Sequence, residues 1–290
     1  MKSSFIFKFL LFIALIKISL FNSSTCNASI TKPKNISTIS RVVALTSLSA
    51  DLVNYISNES LLGIPGSSLL KNNKDYANKT IVSSGRMPPN LEKIINLKPE
   101  LVIGSKGFHD KTLKNLQKLG IRTISVSISN FNDLEKLSSD LQTLLDKKSK
   151  FNLKNKLPNC YSFDTKNKLN NKEVLVLVSA KPLLSPNSQS WAGSLINRFD
   201  HINLAAEIDS KSQFKGYVNL SPEWVVSSKP SNLIIINTPG SSDSQYKEIS
   251  IWKNLPAVIN NKVSSFDYYG LINAGSLDSI NNACEKLSSI

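Results

Sequence analysis

Pro89-Asn-Leu-Glu-Lys-Ile-Ile-Asn-Leu-Lys-Pro-Glu-Leu-Val-Ile-Gly-Ser105 is the stretch that decides the fold class. Asn90 is a favourable N-cap, and Glu92 lies in the first turn, where a carboxylate meets the positive end of a helix dipole. Leu91, Ile94, Ile95 and Leu97 form an apolar stripe, so the spacing predicts a short amphipathic helix. Pro99 stops it. Leu101-Val-Ile103 then predicts a strand buried on both faces, and Gly104-Ser105 ends that strand at the edge where open parallel sheets place their ligands.

The stretch has a counterpart in Ser221-Pro-Glu-Trp-Val-Val-Ser-Ser-Lys-Pro-Ser-Asn-Leu-Ile-Ile-Ile-Asn237. Ser221 can cap, Pro222 suits the first helical position, and Glu223 sits in the first turn. Lys229-Pro230 follow Glu223 by the same six and seven residues that separate Lys98-Pro99 from Glu92. Two copies of one helix–strand unit, one per half, predict two lobes. Capped helix, proline and strand are also common grammar in any α/β chain; the matched spacing favours a true repeat.

Working outward, Arg41–Thr46 reads as a strand, Ala50–Ile56 as a helix, and Leu62–Ile64 as a short strand before a polar connection over Pro65–Tyr76. Lys111–Leu119 reads as a helix ended by Gly120, and Arg122–Val126 as a strand. Leu134, Leu137, Leu141, Leu144 and Leu145 fall on one helical face within Asn132–Lys150. A helix of about twenty residues there spans about 30 Å, enough to run across two lobes. The second half alternates again: Val174–Val178 strand, Gly193–Phe199 helix, Leu233–Asn237 strand, Val263–Phe266 strand, Leu277–Leu287 helix. The expected fold is α/β: two Rossmann-like lobes with central parallel sheets, at 36–130 and 158–290, joined by one long linker helix at 131–157.

Hydrophobic residues make up 41% of the 290 and charged residues 19%, which fits a folded chain rather than a disordered one. The formal charge is +14. Scattered lysines supply it, with only Arg41, Arg86, Arg122 and Arg198 beside them. No dense basic run interleaved with aromatics occurs, so nucleic-acid binding is not favoured; weak attraction to anionic ligands or membrane surfaces is a secondary expectation, and a codon-composition bias toward Lys, Asn and Ile gives the same picture. The N-terminus carries Lys2, an apolar run Phe9–Ile16 and then Cys26-Asn27-Ala28, with small residues where a signal peptidase reads, so residues 1–28 are expected to be an export signal cleaved after Ala28. The run is short for a membrane span and is followed by Lys17. A lipoprotein anchored through Cys26 is the competing expectation, against which Ser23-Ser24-Thr25 is a poor match. Cys160 and Cys284 then remain, and an exported compartment permits a disulfide between them.

His109 and His201 are the only histidines, with no HExxH or CxxC spacing, so no metal site is expected. The absence of GxSxG, P-loop and GxGxxG motifs leaves hydrolase, NTPase and dinucleotide readings without their local signatures, and no catalytic residue is assigned. What stands out lies at expected strand ends: Ser47, Arg86, Phe108 with His109, Trp191, Lys215 with Tyr217, and Tyr268 with Tyr269. Arginine offers a fork of donors to oxyanions, and aromatics offer flat contact to a large ligand. The plainer alternatives are a packing role for Trp191 at a helix start, a core role for Tyr268, and a surface-loop role for His109.

Asn90-Leu-Glu-x-Ile-x-x-Leu-Lys-Pro-Glu-Leu-Val-Ile103 resembles the signature of the substrate-binding proteins that serve ABC importers for iron-siderophores, haem and cobalamin. Arg41-Val-Val-Ala-Leu, Ser190-Trp-Ala-Gly193 and Trp252-Lys-Asn-Leu-Pro-Ala-Val-Ile-Asn-Asn-Lys-Val263 extend the likeness. The resemblance implies a ligand held between two lobes, small lobe motions about a stiff helix, and an exposed glutamate on each lobe that docks on permease arginines. Those glutamates fall on Glu92 and Glu223. It places Arg86 where ferrichrome-binding relatives hold the iron-hydroxamate centre, Phe108 where they carry a tyrosine, Lys215 or Tyr217 near their second-lobe aromatic, and Tyr268 or Tyr269 near their last. Zinc and manganese binders of this type collect several histidines, which this chain lacks. The implied protein is a periplasmic, monomeric, non-enzymatic carrier of a metal chelate. A ferric siderophore is the first ligand expectation, with cobalamin or haem the alternative, and an ABC permease dimer in the inner membrane is the partner. The reading from another class is a chelatase-like or oxidoreductase component on a similar fold.

Overall fold

The structure, a computed structural model, describes residues 38–84, 87–146, 148–161, 172–208, 212, 214–238 and 252–290. The expected signal segment, Cys26 and Arg86 lie outside the described residues.

The first lobe is a five-stranded parallel sheet: β1 (Val42–Ala44), β2 (Leu61–Gly66), β3 (Thr80–Ser84), β4 (Leu101–Ser105) and β5 (Arg122–Val126), in the order β3-β2-β1-β4-β5. β1 and β4 pair at its centre, and Val42, Val43, Leu101, Val102 and Ile103 are fully buried, as a strand covered on both faces requires. Helix α1 (Ser47–Ser57) starts three residues earlier than its apolar pattern suggested, because the Thr46 hydroxyl accepts the Ser49 N–H at 3.2 Å and caps it. Helices α2 (Leu91–Asn96) and α3 (Asp110–Lys118) complete the lobe. Strand β3 was not expected. It is an edge strand that buries only Val82 and leaves Ile81 exposed, too little apolar pattern to stand out.

The connector corrects the expectation of one helix over 131–157. Helix α4 is Phe131–Leu145, 15 residues, and two four-residue helices follow, α5 (Leu153–Lys156) and α6 (Pro158–Tyr161). At 1.5 Å per residue α4 is about 22 Å long. Asn130 and Asp133 form a capping box at its start. At its end Asp146 turns extended, where an acidic residue opposes the helix dipole, and its carboxylate accepts the Lys148 N–H at 2.9 Å. The chain then folds back: the Gln142 amide donates to the Phe151 carbonyl at 2.6 Å, and the Ser149 hydroxyl to the Ile56 carbonyl at 3.1 Å.

The second lobe has a central parallel sheet of β6 (Glu173–Leu177), β9 (Ile202–Asn203), β11 (Asn232–Asn237) and β12 (Val263–Asp267), ordered β12-β11-β6-β9. Beside it β7 (Ser179–Ala180), β8 (Leu183–Pro186) and β10 (Tyr217–Leu220) form a small antiparallel sheet that the sequence did not announce. Helices α7 (Trp191–Arg198), α8 (Pro222–Ser227) and α9 (Pro256–Ile259) and the closing helix Leu277–Ser288 pack around them.

The repeat is structural. Asn90 caps α2 by accepting the Lys93 N–H, and Ser221 caps α8 by accepting the Trp224 N–H. Lys98 and Lys229 then take left-handed backbone conformations, φ 47° and 45°, before their prolines, and buried β4 and β11 follow.

Links of three kinds fasten the lobes among the described residues. Phe131 at the head of α4 stacks on Trp191 of α7, centroids 6.2 Å apart, and the Arg198 guanidinium covers its ring at 3.8 Å. The buried Asp51 carboxylate of α1 accepts the Leu277 N–H of the closing helix at 2.9 Å and the Tyr76 hydroxyl at 2.5 Å. Cys160 of the connector forms a disulfide with Cys284 of the closing helix, Cα–Cα 5.0 Å.

Candidate functional site

In open α/β sheets ligands gather at the carboxyl ends of the strands. Here the ends of both sheets approach each other. Leu69, from the chain after β2, lies against the Tyr269–Gly275 turn that follows β12. A recess of about 450 Å³ opens there, lined by Asn237, Asp267, Tyr268, Tyr269, Lys286 and Leu69 among others. Its volume suits a drug-sized ligand. A second recess of about 510 Å³ adjoins it through Leu69, beside Asp51, Asn72 and Asp278.

On the first lobe, the end of β4 is shaped by a reciprocal pair of bonds. The His109 N–H donates to the Ser105 carbonyl, and the Ser105 N–H donates to His109 Nδ1, both at 2.9 Å. Gly104 permits this turn: a Cβ there would stand 2.9 Å from His109 Cβ. His109 is buried rather than a surface-loop residue. A backbone N–H can only donate, so Nδ1 carries the lone pair and the proton of the neutral ring sits on Nε2. Burial also holds the His109 pKa below its ordinary value, against the opposing pull of Asp110. Phe108 stands on this base, its ring edge-to-face with His109 at 4.8 Å and 64% exposed. Ser47 opens α1 and is half-buried.

On the second lobe, four of the expected residues come together. Trp191 is 4% exposed, its indole N–H donates to the Gly270 carbonyl at 2.8 Å, and it stacks on Phe131, which is the helix-start packing role. The Tyr217 hydroxyl lies 3.4 Å from the Ile272 carbonyl, to which it donates. Burial, with Tyr268 nearby, pushes its phenol well above the ordinary range, so it stays protonated. Tyr268 is half-buried against Tyr269, rings edge-to-face at 5.4 Å, and Tyr269 is the exposed member of the pair. The turn that carries them depends on Gly270, at φ 99°, where a Cβ would stand 2.1 Å from the Ser279 carbonyl oxygen. Lys215 is exposed beside Gly216. Next to it Phe214, 60% exposed, was not singled out from the sequence; a lone phenylalanine in the polar run Ser212–Lys215 was the available signal.

Glu92 and Glu223 are exposed and occupy equivalent places in the first turns of α2 and α8. The backbone N–H of Glu223 and the Ser221 hydroxyl hold the Glu223 carboxyl below its usual pKa. Among the described residues no group of three or more His, Cys, Asp or Glu is disposed to hold a metal ion, and no helix is long and apolar enough to cross a membrane.

The sequence profile of the periplasmic binding protein family matches residues 42–268, spanning both sheets and the connector. The chain belongs to the periplasmic binding protein family. Its fold is shared with solved members of such systems. A possible iron-binding, periplasmic solute-binding protein from Staphylococcus epidermidis aligns with TM-score 0.67 at 19% identity, over 87% of this chain and 98% of the other. The periplasmic vitamin B12 binding protein of Vibrio cholerae aligns with TM-score 0.64 at 16% identity, over 87% and 96%. The periplasmic haem binding protein of the same organism aligns with TM-score 0.65 at 17% identity, over 85% and 98%. No curated protein matches the chain by sequence. The two-lobed plan and its linking helix are thus those of periplasmic binding proteins.

Proposed function

We propose that this periplasmic binding protein is the exported, non-enzymatic solute carrier of an ABC importer, and that its cargo is a chelated iron complex of the ferric siderophore type. The observation that carries the reading is that both lobes expose aromatic rings, Phe108 after β4 on one and Tyr269 after β12 and Phe214 before β10 on the other, with Lys215 exposed next to Phe214 in the chain. Flat, rigid side chains suit the organic shell of a large chelate, and a cation suits its oxygen donors. Arg86 is proposed as a further donor to that oxygen shell. The Glu92 and Glu223 carboxylates are proposed to meet permease cations; exposed ion pairs add little affinity but fix orientation.

Haem or cobalamin is the second reading, and Tyr269 favours it as the exposed phenol that a haem iron would need for a ligand. His109 speaks against a histidine-ligated haem, because its Nδ1 lone pair is engaged by Ser105 and its Nε2 bears the proton. The test is a fluorescence titration of the protein lacking residues 1–28 with a ferric hydroxamate, a ferric catecholate, haemin and cyanocobalamin. Saturable quenching by a ferric chelate, with weaker response to haemin and cyanocobalamin, is the expected result. Quenching by haemin alone selects the second reading, and quenching by none, together with turnover of any, refutes the carrier reading.

A further inference from the structure

We infer that His109 is a positioning residue: its neutral ring holds Phe108 where the cargo meets it, so the protein binds its chelate while that ring is neutral and loses it once the ring takes up a second proton. The inference rests on the reading of Phe108 as a cargo contact and adds what fixes that contact and what releases it.

The loop from Ser105 to His109 leaves the carboxyl end of β4 and opens α3. Two bonds close it, and both involve His109. Its N–H donates to the Ser105 carbonyl, and the Ser105 N–H donates to its Nδ1, each at 2.9 Å. The Lys106 N–H ties the near side of the loop to the Val126 carbonyl of β5 at 2.8 Å. Beyond it Gly107 takes φ 82°, with nothing within 4 Å of where a Cβ would stand, so the tip of the loop stands clear. Phe108 follows, 64% exposed, its ring edge-to-face with His109 at 4.8 Å. His109 is 5% exposed and packed so closely on β4 that a Cβ on Gly104 would stand 2.9 Å from its own. The exposed ring therefore rests on a buried one. Among the described residues, the bond from Ser105 is the one hydrogen bond that the His109 side chain makes.

That bond exists in one protonation state. A backbone N–H can only donate, so Nδ1 must present a lone pair, whereas an imidazolium donates from both nitrogens and offers no acceptor in any rotation of the ring. The neutral ring carries its proton on Nε2, so the second proton goes to Nδ1, the atom that Ser105 uses. N–H then faces N–H, the ring leaves its seat, and Phe108 loses the neighbour that fixes it. Charged side chains flank His109 in the chain at Lys106 and at Asp110 and Lys111, while Gly104 and Ser105 of β4 and Leu113 of α3 add none. Asp110 favours the charged ring and burial opposes it more strongly, so the change falls on the acid side of an ordinary histidine. Where only the neutral form is competent to bind, the apparent dissociation constant rises as the neutral fraction falls.

The experiment measures affinity for a ferric tris-hydroxamate chelate by quenching of tryptophan fluorescence, at steps from about pH 8 to about pH 4. Wild-type protein is expected to bind evenly near neutrality and then about tenfold more weakly for each pH unit below the His109 midpoint. In nitrogen NMR of the protein alone, the Ser105 amide should shift with the same midpoint as the His109 ring. His109→Leu, without an acceptor, should bind about tenfold more weakly at every pH. His109→Asn restores an oxygen where Nδ1 stood, so it should recover most of that loss and show no acid decline. Phe108→Ala, with no ring to hold, should bind weakly and without that slope. The wild-type profile needs no substitution and stands even where a variant does not fold. A flat wild-type profile overturns the proposal and leaves the carrier reading intact, as does a Ser105 amide that ignores the titration of the ring. A slope that persists in His109→Asn belongs to another group, such as Asp51 at the lobe contact, and overturns the proposal too. If wild-type protein binds the chelate at no pH, the cargo reading falls and the proposal falls with it.

Discussion

The Cys160–Cys284 disulfide closes a loop of 124 residues between the connector and the closing helix. Replacing both cysteines by alanine restores that loop's freedom to the unfolded chain. The loop-closure relation gives about 16 cal/mol/K for a loop of this length, or about 5 kcal/mol at 25 °C, before any residual structure in the unfolded chain reduces it. Both sulfurs are buried, so truncation also leaves a small void and lowers stability a little further. A folded unit of about 250 residues has an unfolding entropy near 0.5 kcal/mol/K, so Tm is expected to fall by about 10 °C. Differential scanning calorimetry of the oxidised protein, the reduced protein and the double variant gives the comparison. The reduced protein and the double variant should coincide within a few degrees and both lie well below the oxidised one. If all three melt together, or if thiol titration of the denatured, unreduced protein finds two free thiols, the reasoning is refuted.

Three further outcomes follow from the same geometry. Burial raises the Asp51 pKa more than Tyr76 and the Leu277 N–H lower it, with Asp278 adding to the rise and Lys156 opposing it. The folded state therefore holds this proton more tightly than the unfolded state, and the contribution is present below the ordinary carboxylate pKa and lost as pH rises through the folded one. Stability of Asp51→Asn minus wild type, from urea melts across pH 3–8, should climb through that window; a flat difference contradicts the raised pKa. Phe108→Ala removes an exposed ring, so Tm should change by less than ~1 °C while affinity for a quenching ferric chelate drops about tenfold, and unchanged affinity removes Phe108 from the site. Trp191→Phe leaves the buried Gly270 carbonyl without its donor and a gap beside Phe131, with an expected loss of about 2–4 kcal/mol in urea melts. A loss below ~0.5 kcal/mol would contradict its packing role.

The central elements were legible because local chemistry specifies them. Asn90 and Ser221 cap, Pro99 and Pro230 stop, and β4 and β11 are apolar enough to be buried on both faces. Edge and irregular elements were not. β3 buries one side chain, β7 is two residues long, and β8 and β10 gain their stability from pairing with each other across about thirty residues. Neither carries a signal within its own length. The linker helix was over-extended because leucines continue past Leu145, whereas the stop comes from a single acidic C-cap and the return bond from Gln142 to Phe151.

Site residues divide along the same line. Aromatic character at strand ends was readable, but whether a ring faces solvent depends on distant partners. Trp191 is drawn inward by Phe131 and by a carbonyl 79 residues away, while Phe108 is held out by its immediate neighbour His109. Asp51 bonds to an amide 226 residues along the chain and had no sequence signal at all. The left-handed lysines lie between these extremes. Lys98 and Lys229 read as unremarkable surface residues in isolation, yet each is required to reverse the chain between a helix that ends and a proline that starts a buried strand. Their shared conformation is a consequence of the repeat that only the folded chain expresses.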